Sequence, residues 1–180
     1  MCNANVAIVA PASLLNASAA PIVSMGFSSS TVTVNAIQIF MMPNDERNKD
    51  AEIIGVLYRS ETLTGQKTLV GQGSPVTPFT NWSFSGLKPN GHPIWVNLPM
   101  PPGLELPTGT TGDASVVYWL GMLASKDSTC FGLPKSATNP SLGPGAVDSF
   151  AATPFAGGAP ANLSSWTVGG WSFSAFATLA

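Results

Sequence analysis

Short runs of alternating hydrophobic and polar residues, broken every few positions by glycine or proline, fill most of the chain. Residues two apart share a face of a strand, whereas helices need three- and four-residue spacing. STVTVNAIQIFMM alternates at Val32, Val34 and Ala36, then shifts phase to Ile37, Ile39 and Met41. A one-residue slip of this kind inside a strand is what a β-bulge produces. EIIGVLYRS sets Ile54, Val56 and Tyr58 on one face, and PIWVNLP alternates Ile94, Val96 and Leu98. NWSFSGL alternates Trp82 and Phe84, and GGWSFSAFATLA alternates Trp171, Phe173, Ala175 and Ala177.

SVVYWLGMLAS, near the middle of the chain, is apolar on both faces. Val117, Trp119 and Leu123 would point one way, and Tyr118, Leu120 and Met122 the other. The run is short for a helix and is bounded by TGTTGDAS and KDS, so it predicts a central strand covered on each side. Few intervals between the 18 Gly and 16 Pro could hold a helix of ordinary length. Connections are long at residues 99–114, Pro-rich and then Gly/Thr-rich, and at 132–162, which embeds Phe150 and Phe155. A flexible linker has no need of those phenylalanines, so packing should order that loop. Together the pattern predicts an all-β fold: an antiparallel β-sandwich of jelly-roll or Greek-key type. Its expected organisation is an extended N-terminal arm at 1–25 and a sandwich domain at 26–180 with long ordered loops.

Charge sharpens this picture. Only 9% of residues are charged, against roughly 25% in ordinary soluble domains. Residues 1–44 carry no charge, and after Lys135 only Asp148 remains. Six of the sixteen charges fall in DERNKDAE, residues 45–52. A chain that is 44% hydrophobic and polar mainly through Ser, Thr and Asn lacks the repulsion that keeps monomers apart. Its surface suits coverage by neighbours. Seven basic residues spread over 180 positions make no patch for phosphate, which argues against nucleic acid. No stretch reaches the roughly 18 apolar residues of a membrane helix. The apolar N-terminus lacks the positive flank of a secretory signal and is interrupted by Pro11, which predicts a soluble, cytoplasmically made chain. Cys2 and Cys130 form neither a disulfide framework nor a metal pair, so free buried thiols are expected, although one bridge closing that long loop stays open.

Three segments in order, AEIIGVLYRSETLTGQKTLVGQG, NWSFSGL and LELPTGTTGDASVVYWLGMLAS, carry a resemblance. The first reads as a strand, a turn and a return strand. Over about residues 30–130 the chain resembles β-sandwich domains of bacteriophage virion proteins and bacterial surface proteins, whose late strand reads like L-x-x-G-x-Y-W-L-G. Here the insert TGTTGDASVV lengthens the spacing between Leu106 and Tyr118. The resemblance implies a decoration, fibre or glycan-binding part of a larger object, without a particular ligand.

Chemistry-bearing residues are sparse. His92, the single histidine, lies in the turn KPNGHPIW with no Cys or carboxylate near it in sequence, so a turn role outweighs a zinc or catalytic one. Asp45, Glu46, Asp50 and Glu52 lack EF-hand spacing and are interrupted by Arg47 and Lys49; a solvated loop tip is the better reading. Of the five tryptophans, strand positions predict burial for Trp82, Trp95, Trp119 and Trp171, leaving Trp166 as the candidate for stacking on a glycan. Asn16, Asn81 and Asn162 begin Asn-x-Ser sequons, which matter only in a glycosylating pathway.

The expected function is therefore that of a virion structural protein, a bacteriophage capsid decoration or appendage subunit and not an enzyme. Its expected partners are copies of itself and other virion proteins, with no nucleic acid, membrane, metal or cofactor. Expected contact residues are Val6, Ile8, Val9, Leu14 and Leu15 in the arm, with Phe150 and Phe155 in the long loop. The alternative is a carbohydrate-binding β-sandwich module acting in adhesion, with Trp166 as its stacking residue.

Overall fold

The computed structural model describes residues 6–12, 31–61, 65–86, 88–107, 117–124, 131–132, 135–136, 148–151, 158–159, 161–163, 172–173 and 175–179. Among them are fifteen strands: β1 (Val6–Ala12), β2 (Thr31–Pro43), β3 (Ile53–Ser60), β4 (Lys67–Gln72), β5 (Phe84–Ser85), β6 (Lys88–Pro89), β7 (Ile94–Pro99) and β8 (Glu105–Pro107), followed by β9 (Val117–Ala124), β10 (Phe131–Gly132), β11 (Lys135–Ser136), β12 (Asp148–Ala151), β13 (Asn162–Leu163), β14 (Ser172–Phe173) and β15 (Ala175–Leu179). The helical content described is one 3-10 turn, Glu46–Asn48. The fold is all-β, built from antiparallel sheets.

A six-stranded sheet runs β12-β1-β9-β3-β4-β13. β9 lies between β1 and β3, as a strand apolar on both faces requires. Its Trp119, Leu120, Met122 and Leu123 are all buried, and so are Ile53 to Tyr58 of β3. β3 and β4 are the strand, turn and return strand of the AEIIGVLYRS segment.

The second sheet centres on β2, which pairs with β7, β8, β10 and β15. β2 carries the slip that its phase shift predicts. Thr178 pairs with Ala36 but Leu179 pairs with Val34, leaving Asn35 as the surplus residue. That residue rotates the strand so that Val34 and Ile37, three apart, both enter the core. On the other edge, Met100 N donates to Asn35 O at 2.9 Å and Val34 N to Leu104 O at 2.8 Å. β7 and β8 thus follow the same strand, with Pro101–Gly103 looped out between them.

One hydrophobic cluster draws on both sheets: Val34, Ile37, Ile39 and Met41 of β2, Val96 and Leu98 of β7, and Ala177 of β15 join Ile53, Leu57, Tyr118, Leu120 and Met122. Phe79, from the turn before β5, is fully buried in the same cluster. Two glycines let the sheets approach. A Cβ on Gly55 would lie 3.1 Å from Leu98 Cβ and 3.3 Å from Met100 Sδ, and one on Gly73 would fall on the Pro99 carbonyl oxygen. Gly73 N also donates to Gly55 O at 2.9 Å, tying these close points together.

Three expectations change in detail. Of NWSFSGL, only Phe84–Ser85 is strand, in a small hairpin with β6, and Trp82 follows a turn in which its N–H bonds Phe79 O at 2.8 Å. The C-terminal alternation divides between β14, paired with β11, and β15, paired with β2. Within the expected arm, Val6–Ala12 is a strand of the six-stranded sheet, and the 132–162 segment contributes β11, β12 and the start of the β13 pairing.

Candidate functional site

The outward face of β2 and β7 carries Trp95, an exposed aromatic residue. Phe40 pairs with Trp95 across the strands, and one step along, Gln38 pairs with Asn97. The rings of Phe40 and Trp95 lie 5.2 Å apart at 43°. Trp95 is 47% exposed, which corrects the burial expected of it. Its position explains why: Val96 and Leu98 point into the core, so the intervening residues Trp95 and Asn97 point out. Ile94, expected to face inward with Val96, is 41% exposed at the start of the strand. Neither β2 nor β7 contains an ionisable residue, so this face is neutral as well as aromatic.

A second tryptophan sits in the opposite setting. Trp119 is fully buried between β1 and β3, and its indole N–H donates to Ser60 Oγ at 2.8 Å. Lys67 of β4, also fully buried, holds its Nζ 4.2 Å from the centroid of that ring, a cation–π contact. Tyr58, beside Trp119 in the strand register, is buried, and burial pushes its phenol well above the usual tyrosine range. A lysine closed from solvent and lying over an indole joins the sheet's polar and aromatic packing.

The remaining candidates resolve into local structure. Asp45 caps the 3-10 turn: its Oδ1 accepts from Arg47 N at 2.8 Å and Nε at 2.9 Å, and its Oδ2 from Nη2 at 2.8 Å. The hydrogen bonds and charge of Arg47 hold the Asp45 carboxyl down at about 2. That carboxylate is committed to a turn. Among the described residues no three His, Cys, Asp or Glu side chains gather as a metal site. His92 is exposed in the turn ahead of β7. Trp82 packs edge-on against Phe79 at 5.4 Å, and its indole N–H is buried without a hydrogen-bond partner. Asn81 is exposed, and exposed Asn162 accepts a hydrogen bond from Thr68 Oγ1 at 3.3 Å.

Of the expected contact residues, Val6, Ile8 and Val9 lie on β1 and Phe150 on β12. These strands pair directly, with Val6 opposite Ala151, Ala7 opposite Phe150, Ile8 opposite Ser149 and Val9 opposite Asp148. Two segments some 140 positions apart in sequence thus meet at one margin of the six-stranded sheet. Leu14, Leu15, Phe155, Trp166, Trp171, Asn16, Cys2 and Cys130 lie outside the described residues. The aromatic pair Phe40–Trp95 escaped the sequence reading, although a signal existed: Trp95 stands out of phase with Val96 and Leu98.

No family model, curated protein or solved structure matches the chain. Among the described residues no helix is long and apolar enough to cross a membrane.

Proposed function

We propose that the protein is a structural subunit of a virion, a bacteriophage capsid decoration or appendage part that works by packing against copies of itself and other virion proteins. The observation that carries this reading is the β12–β1 margin. β12 is the outermost of the described strands on that side of the six-stranded sheet, is four residues long and pairs with a β1 that has no charge. A sheet edge offers unpaired backbone groups to another chain; among the described residues of β1 and β12, Asp148 is the one charge. The scarcity of charge along the rest of the chain supports the same reading, because a neutral hydroxyl- and amide-rich surface resists association weakly.

The finer architecture belongs to this proposal. The two sheets stack face to face as a β-sandwich with jelly-roll or Greek-key connections. The shared cluster and the close approach of Gly55 to Leu98 support it, as does a strand order in which β1 sits between β12 and β9. The test is to place lysines at Ser149 and Ala151 of β12. Loss of self-association with an unchanged far-UV circular dichroism spectrum supports the reading; association indifferent to both lysines counts against this margin as the contact.

A further inference from the structure

We infer that the open face around Trp95 is a binding site for a neutral sugar residue, with the indole as stacking platform and the amides of Asn97 and Gln38 as its hydrogen-bonding rim. This inference stands independently of the assembly reading, since it uses the sheet centred on β2 and not the β12 margin.

Four side chains in two rows make the site. Phe40 and Trp95 face each other in one row, and Gln38 and Asn97 in the next. Successive rows on one face of a strand are roughly 7 Å apart, two residues at about 3.4 Å each. A pyranose ring lying on the indole would therefore bring its peripheral hydroxyls to the amide row. Phe40, tilted against Trp95 at 5.2 Å, braces the indole while leaving 47% of the residue exposed. A ring already held in place loses less freedom when a ligand settles on it.

The chemistry of the rim selects the ligand class. Each amide both donates and accepts, as each sugar hydroxyl does. With no ionisable residue on β2 or β7, the strands offer no counter-charge to an anionic or cationic ligand. A flat apolar partner would cover the amides without pairing them, which is costly.

The test uses the full chain with maltohexaose, cellohexaose, laminarihexaose and chitohexaose as probes, read by tryptophan fluorescence and thermal melting. The expected result is that at least one of them shifts the emission and raises the melting temperature. Trp95→Ala should weaken that binding about tenfold or more, the scale of losing one well-seated aromatic contact. Asn97→Ala should weaken it to a smaller degree, and keeps the test decisive if the tryptophan variant folds poorly. The inference is overturned if all four probes leave emission and melting unchanged. It is equally overturned if both variants bind as the parent does, or if Trp95→Ala lowers the native mass, which would make this face a contact between copies.

Discussion

Ser60 Oγ accepts the indole N–H of Trp119 inside the sheet, so removing that oxygen strands a buried donor. Ser60→Ala should cost about 1–3 kcal/mol of unfolding free energy in urea titration, the penalty for an unsatisfied buried polar group. The two tyrosines give a pH-dependent readout. Burial raises the pKa of both Tyr58 and Tyr118; at Tyr118 the Arg59 charge opposes the rise and the Glu61 charge adds to it. A raised phenol binds its proton more tightly in the folded state, so its stabilisation is complete below the ordinary tyrosine pKa and declines as pH rises above it. The protein should show less tyrosinate absorbance near pH 10 than two unperturbed phenols, whose pKa is about 10, and should gain the rest with alkaline unfolding. Ordinary titration of either tyrosine in the folded protein would contradict the burial described. Residue environments were only partly legible in the sequence. Alternation told which residues of β7 face the core, yet aromatic character suggested burial for Trp95, and phase decided against it. Lys67 carried no signal at all: a lone lysine in a polar turn-and-strand segment gives no hint that its ammonium will lie over a tryptophan on another strand.

Strand β2 shows how an element encodes its own irregularity. The slip from Ala36 to Ile37 was readable because a bulge must move the apolar set to the other phase, and Asn35 is the residue that the pairing leaves over. Deleting Asn35 should therefore be tolerated: Val34 and Ile37 would still share a face, and the main loss is the bond from Met100 N, about 1 kcal/mol. Deleting Gln38 should unfold the protein, because Ile37 and Ile39 would then take opposite faces of a strand fully engaged on both edges. Urea midpoints for the two deletions check this; equal sensitivity would contradict the assigned bulge. β9 was legible for a related reason, since a nine-residue run apolar on both faces between turn signals has few uses other than a covered strand. The division of the last segment into β14 and β15 was not legible. Both halves keep one alternation, and nothing local to WSFSAFATLA tells which sheet each half will join.

For the whole molecule, the all-β character followed from glycine and proline spacing, whereas strand order depends on contacts between distant segments that alternation does not encode. The pairing of β1 with β12 is an instance: an apolar N-terminal stretch and a piece of a Gly/Pro-rich loop both looked available for contact, and they meet each other at a sheet margin. That meeting leaves β12 outermost among the described strands on its side of the sheet, and the assembly reading turns on whether another chain covers it. The mass of the native full-length chain in dilute solution, taken by sedimentation or light scattering and accompanied by a search for particles, addresses this directly. A defined homo-oligomer or self-assembled particle is the expected result. A monodisperse species at the 18.5 kDa of a single chain, unchanged as concentration rises, would contradict it.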